Sequence, residues 1–201
     1  MKRVPAFAAL ALLLAGCAGQ ELGPGYALVR QGRTVAVANG SMLVTAPHEW
    51  NRSQRSILDI RWVEDWTLNG PYLDGISFVA GLPDGKTIVR QSKRDDRQVP
   101  RFRATMTAPE IASLLETAYR ARGGSVEYRT LALAPRAFAG APGFQLDFEH
   151  LDGDELWRKG RAVGAVVGGR LYMVVLDGAR SHYFAAAMPD FEAMVESARI
   201  R

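Results

Sequence analysis

FQLDFEHLDGDELWRKGRAVGAVVGGRLYMVVL, residues 144–176, decides the fold. Phe144, Leu146 and Phe148 alternate with Gln145, Asp147 and Glu149. A period of two sends apolar side chains to one face of a strand and polar ones to the other, which predicts a sheet with one covered face. Leu151-Asp152-Gly153-Asp154 turns the chain, Glu155–Val167 returns, Gly168-Gly169 turns it again, and Leu171–Leu176 is an apolar strand. Turn residues between extended runs make a β-meander.

Working outward, Val126–Ala134 reads as a strand ahead of the meander, and a helix stands ahead of that. Thr107-Ala108-Pro109-Glu110 opens the helix, with Thr at the N-cap, Pro early and Glu three residues on. Ile111, Leu114, Leu115, Ala118 and Tyr119 form its apolar face, and Gly123-Gly124 ends it. Closer to the N-terminus, short strands Ala27–Arg30 and Thr34–Ala38 flank Gln31-Gly32-Arg33. Asn39-Gly40 before Ser41–Thr45 predicts a hairpin. Ile76–Ala80 and Lys86–Arg90 around Leu82-Pro83-Asp84-Gly85 predict a second one. Gln91–Arg103 has no apolar period and reads as a loop. The C-terminus is helical from Ser181 to about Ala187, and a helix restarts at Pro189 with Phe191, Met194, Val195 and Ala198 on one face.

The fold class is therefore α+β: an antiparallel sheet, of hairpins and a C-terminal meander, covered by a central and a C-terminal helix. That order resembles the PsbP-like α/β/α sandwich. DWTLNGPYLDGISFVAGLPDG at 65–85, PRFRATMTAPEI at 100–111, FAGAPGFQLDF at 138–148, and GGRLYMVVLDG with SHYF at 168–184 are similar to a family of proteobacterial lipoproteins. This resemblance implies fold and location, not a mechanism.

The front of the chain gives an address. Met1-Lys2-Arg3 precedes an apolar run, Val4–Leu14, and small residues then lead to Cys17, the single cysteine. This is the layout of a secretory signal, and the run is too short to span a membrane. Leu14-Ala15-Gly16-Cys17 resembles the lipobox of bacterial lipoproteins. The resemblance implies cleavage between Gly16 and Cys17 and acylation of the Cys17 thiol and new amine. One acyl chain anchors marginally, whereas several hold firmly. Ala18, where an Asp would imply inner-membrane retention, implies the periplasmic face of the outer membrane. The expected organisation is a signal peptide at 1–16, the lipidated Cys and a Gly/Pro-rich tether at 17–26, and a single domain over 27–201.

Composition closes several routes. The net charge is +4, and Lys2 and Arg3 leave with the signal, so the charge carries no nucleic-acid signature. With Cys17 acylated, no thiol remains for a disulfide or a metal. The chain has no G-x-S-x-G nucleophile elbow and no phosphate-binding GxxxxGK[ST]. Gly23-Pro24-Gly25 begins like a dinucleotide turn, but residue 28 is Leu. His48-Glu49 is not followed by the second histidine of a zinc motif. His48, His150 and His182 have no ligand spacing, and His182 reads as a capping or hydrogen-bonding residue. Glu149, Asp152, Asp154 and Glu155 crowd one hairpin without a calcium-loop pattern. No cofactor and no metal is expected.

Two features have a possible job. Lys93, Arg94, Arg97, Arg101 and Arg103 form a basic loop for anionic headgroups, read otherwise as solvated and partly neutralised by Asp95 and Asp96. Trp50, Trp62, Trp66 and Tyr72 read first as core, and the WTLNGPYLDG stretch otherwise as a shallow binding edge, so Trp66 and Tyr72 join the basic residues as a candidate partner or ligand surface. The leading reading is a non-enzymatic envelope lipoprotein serving binding or assembly, with the membrane and an envelope protein as partners. The alternatives are an envelope hydrolase using His182 or His150 with carboxylates, and a carrier of a small apolar ligand held between sheet and helices.

Overall fold

A computed structural model describes residues 25–54, 59–90, 99–122 and 125–201. Its elements are β1 (Tyr26–Val29), β2 (Thr34–Val37), β3 (Met42–Thr45), β4 (Trp50–Ser53), β5 (Val63–Thr67), β6 (Asp74–Leu82), α1 (Ala108–Arg122), β7 (Glu127–Pro135), β8 (Phe144–Leu151), β9 (Trp157–Val167), β10 (Arg170–Ala179), α2 (Tyr183–Ser197) and β11 (Arg199–Ile200). One sheet has eight antiparallel strands in the order β1-β4-β5-β6-β10-β9-β8-β7, and a second has three, β11-β3-β2. The α+β class and the antiparallel meander hold.

The long sheet separates two apolar clusters. On one face Ile76, Phe78, Val174 and Leu176 meet the small sheet and the α2 residues Phe191, Met194 and Val195. On the other, Phe144, Leu146, Phe148, Met173 and Val175 meet Ile111, Leu114, Leu115 and Ala118 of α1. The alternation along each strand makes both faces possible, since successive side chains point to opposite layers. At the start of α1 the Glu110 carboxylate accepts from the Thr107 N–H and hydroxyl, both at 2.7 Å. These bonds, the backbone one first, hold Glu110 below the usual carboxylate range.

Several sequence expectations change. Residues 26–29 and 34–37 do not pair: β1 lies beside β4 at the edge of the large sheet, and β2 pairs β3 in the small one. Lys86–Arg90 is not a strand, because β5 and β10 already flank β6. Instead Gly85 and Lys86 exchange backbone bonds with Phe102, and Ile88 and Val89 bury in the α1-side cluster. The Asn39-Gly40 hairpin is present, with Val37 opposite Met42 and positive φ at Ala38 and Gly40. Residues 183–197 form one helix, so Pro189 interrupts nothing; Ala187, Phe191, Met194 and Val195 bury around it and offset its missing N–H. Its first turn rides on Gly178 of β10, where a Cβ would lie 2.8 Å from the Phe184 nitrogen. Among the described residues no helix is long and apolar enough to cross a membrane. Cys17 and its surroundings lie outside those residues.

The two sheets are locked by a buried carboxylate. Glu64 on β5 accepts from Trp66 Nε1 at 2.7 Å, Arg52 Nη2 at 2.7 Å and the Ala38 N–H at 2.8 Å. Its side chain is 0% exposed. Glu64→Ala strands three donors, one of them a cation, and should cost about 3–5 kcal/mol in urea unfolding, whereas Glu196→Ala on the exposed side of α2 should stay within about 0.5 kcal/mol.

Candidate functional site

α1 covers only part of its face of the large sheet, over β7 and the strands next to it. Beyond it the same face, floored by β5, β6 and β10, stays open as a groove of about 660 Å³. Val63, Val79 and Val175 give the floor an apolar strip, and Leu115, Ala118 and Tyr119 of α1 form the wall. Asp65, Ser77 and Asp177 stand in the same rows and add a polar strip. The pleat explains this: they take the inward positions that would be apolar if α1 extended over them. Ile88 and Val89 close one end; Tyr72 and Asp152–Asp154 rim the other.

A hydrogen-bonded chain ends at the groove. His150 on β8 and Asp177 on β10 share a sheet face with β9 between them, and the β9 residue opposite both Phe148 and Asp177 is Gly160. The Phe148 ring lies over Gly160, where a Cβ would stand 2.0 Å from it, and His150 Nε2 reaches Asp177 Oδ2 at 3.0 Å. The other ring nitrogen, Nδ1, lies 3.1 Å from Ser125 Oγ. Asp177 accepts from Nε2, and the Nδ1 edge of the ring faces the Ser125 hydroxyl. That hydroxyl also lies 3.2 Å from the Leu151 carbonyl and 3.3 Å from that of Glu127. Arg158 donates through Nε to Asp177 Oδ1 at 2.7 Å and through Nη1 to the Tyr72 carbonyl at 2.6 Å. Tyr119, Tyr128 and Phe148 pack around the imidazole.

Burial by itself would raise the Asp177 pKa. The His150 hydrogen bond and the Arg158 charge outweigh it and hold the carboxyl below the ordinary carboxylate value. The Tyr128 hydroxyl, buried without a partner among the described residues, is pushed well up by desolvation, then by Glu116 and Asp177, and stays protonated.

The rim is held by a second aspartate. Asp74 Oδ1 accepts from Leu68 N at 2.8 Å, Asn69 N at 3.1 Å and Thr67 Oγ1 at 3.0 Å, while Oδ2 accepts from Asn69 Nδ2 at 2.5 Å. This fixes the 68–73 turn that carries Tyr72, and Arg158 ties the same turn to Asp177.

The sequence-expected surface is dispersed. Tyr72 is 76% exposed at the groove mouth. Trp66 is a correction: it is 1% exposed, its ring lies in the α2-side cluster, and it presents no face to a partner. Trp50 and Trp62 likewise give their N–H groups to Asp190 and the Thr87 carbonyl. Arg101 and Arg103 are exposed, Arg101 donating to the Gly85 carbonyl at 2.8 Å, and neither lines the groove. Lys93, Arg94 and Arg97 lie outside the described residues, as do Gly16 and Cys17.

The histidines do not converge: His48 bonds Asp190 on the α2 side and His150 lies on the α1 side. His182 sits at the N-cap position of α2, but its side chain caps nothing and packs edge-on to Tyr183. Among the described residues no group of His, Cys, Asp or Glu side chains has a metal-holding arrangement. Asp152 closes its own turn onto Asp154 N and Leu156 N, and Glu149 pairs with Arg129 and Arg180. The sequence reading missed Ser125, Arg158, Asp177 and the groove. One signal was there: Asp65, Ser77 and Asp177 break inward rows that are otherwise apolar.

No family model matches the chain, and no curated protein matches it. Among solved structures the fold is similar to that of the cyanobacterial PsbP protein CyanoP from Synechocystis, with TM-score 0.57 and 16% identity over 94% of this chain and 99% of that one. A Bacteroides thetaiotaomicron protein gives TM-score 0.50 at 5% identity, over 85% of this chain and 49% of that one. LpqN, a Mycobacterium tuberculosis protein involved in cell envelope biogenesis, gives TM-score 0.35 at 9% identity, over 88% and 90%, too slight a likeness to carry an argument. The architecture is thus the PsbP-like α/β/α sandwich.

Asp177→Asn keeps the shape and removes the charge that Arg158 faces. It should cost about 3 kcal/mol at pH 7, read from urea midpoints. A carboxyl with a lowered folded pKa stabilises above its unfolded value and loses that contribution as pH falls through the folded one, so the two proteins should converge below about pH 4.

Proposed function

We propose that this protein is a non-enzymatic accessory domain of the bacterial envelope, anchored through lipidated Cys17 and binding its target in the groove beside α1. The groove is the observation that carries the reading: an open floor of about 660 Å³ with apolar and polar strips. The polar groups at its end are spent on one another and on the fold. Asp177 is held by His150 and Arg158, Arg158 by Asp177 and the rim, and Asp74 by the turn it closes. Groups tied in this way make a rigid recognition surface; a catalytic acid or base needs a proton it can exchange with substrate. The Leu14–Cys17 stretch supplies the anchor, and Ala18 favours the periplasmic face of the outer membrane. An apolar-ligand carrier is less well supported, since aspartates and a serine interrupt the floor.

One observation favours a second reading. Ser125, His150 and Asp177 form a hydroxyl–imidazole–carboxylate chain with contacts of 3.1 and 3.0 Å, the order a serine hydrolase uses. Against it, Ser125 is buried and its hydroxyl also faces two carbonyls, and Arg158 shares the carboxylate.

Two measurements test these readings. A photo-crosslinking residue placed at Tyr72 in cells should give adducts that the same residue at Ser113, on the outer side of α1, does not; filling the floor with Ser77→Phe should abolish them, and Cys17→Ser should release the protein from membranes. Adducts indifferent to Ser77→Phe would refute the groove. Labelling by a fluorophosphonate that disappears in Ser125→Ala would instead establish the hydrolase.

A further inference from the structure

The groove carries a charge that identifies what it takes. Its described lining holds Asp65, Asp74, Asp152, Asp154 and Asp177 against Arg158 and the His150 ring. Asp65 is engaged by Ser77 at 2.5 Å, and Asp74 is consumed by its turn, so neither is needed for the argument. The rim is different. Asp154 is exposed and its carboxylate has no partner among the described residues, and Asp152 uses Oδ1 alone, for its own turn. Arg158, the one Lys or Arg in the described lining, is committed to Asp177 and the Tyr72 carbonyl. An acidic cleft with low-dielectric walls concentrates its field and draws in positive groups. The same field repels the anionic lipid surface beside which the anchor would hold the protein. The groove is also half open: a small ligand would remain partly in water, whereas an extended segment of a larger partner can run through it and continue beyond.

We propose that the groove takes a basic peptide segment of a partner protein, its apolar side chains against Val63, Tyr119 and Tyr72 and its Lys or Arg side chains at the Asp152–Asp154 rim. This rests on the groove reading above and adds the chemistry of the occupant. Alternate side chains of an extended segment point to opposite sides, so an apolar–basic alternation would meet floor and rim in turn.

Fluorescein-labelled peptides of alternating Leu–Lys, Leu–Ser and Leu–Glu, titrated into the mature protein, purified from membranes in neutral detergent, test the proposal by anisotropy. The Leu–Lys peptide should bind about tenfold tighter than Leu–Ser, the size of one or two partly screened charge pairs, and should weaken between 50 and 300 mM NaCl. Leu–Glu should bind least. The Asp152→Asn/Asp154→Asn double variant, which keeps the Oδ1 acceptor of the turn, should erase the Lys preference and leave Leu–Ser binding unchanged. Ser77→Phe should abolish binding of both. Equal affinities for Leu–Lys and Leu–Ser, or a double variant without effect, would overturn the basic-peptide assignment; loss of both peptides in Ser77→Phe would then still support the groove. Leu–Lys binding that survives Ser77→Phe would overturn the site as well. Failure of all three peptides to bind would overturn the assignment and leave the groove to the crosslinking result.

Discussion

The Glu64 carboxylate sits where the two sheets meet, with no exposure to water and three donors aimed at it. Trp66 reaches it from two residues along the same strand, Arg52 from the neighbouring strand, and the Ala38 N–H from the hairpin of the small sheet. An ion buried in this way is tolerated only when each lone pair is answered, and so it specifies one arrangement of its neighbours. Arg52 extends the constraint by donating to the Ala36 carbonyl. The small sheet is thereby fixed over one face of the large one, closing the cluster that also holds Phe78, Phe191 and Met194. Glu192 adds a surface tie from α2: burial would raise its pKa, but Arg136 and Arg161 outweigh this and keep it ionised across the α2–sheet seam.

The groove follows from that asymmetry. One face of the eight-stranded sheet is covered by α2 and a whole second sheet, while the other has α1, about 22 Å of helix at 1.5 Å per residue, with Ile88, Val89, Val99 and Phe102 packed beside it. Eight strands at about 4.8 Å are wider than one helix can roof. On the strands left over, β5 and β6 with part of β10, Val63, Asp65, Ser77 and Asp177 are half-buried, while Val79 and Val175 lie buried beneath. The open floor is thus a consequence of the layer count, and the apolar and acidic strips on it are what a ligand would read.

The Ser125–His150–Asp177–Arg158 chain ties the end of the groove to its rim. Its members have the right types and distances for acyl transfer. The sheet places His150 and Asp177 on one face across β9, with the Phe148 ring over Gly160 beside them, and Arg158 fastens the far end to the Tyr72 turn. Arg158 and the His150 Nε2 side are each engaged by Asp177, and the Asp154 carboxylate at the rim is exposed with no partner among the described residues.

Local rules sufficed for what depends on neighbours in the chain. The alternation at 144–148 and the turns at 152–154 and 168–169 set the meander, because pleat and turn chemistry are properties of a few adjacent residues. The Thr107–Glu110 start and apolar face of α1 were legible for the same reason, and the order of the elements pointed to an antiparallel sheet covered by helices. Pairing between distant strands was not legible. Residues 26–29 prefer residues 50–53 over residues 34–37, Lys86–Arg90 is shut out of a sheet whose neighbouring places are filled, and Pro189 is carried by the packing of the helix around it. Trp66 looked like either core or rim until Glu64, two residues away but on the same buried side, claimed its N–H. The sequence by itself thus determined the strands of the meander, the first helix and the class of the fold, through interactions a few residues long. Only the tertiary structure decided that a groove opens beside α1 and that Asp177, His150 and Arg158 meet, because those outcomes depend on which strands lie side by side.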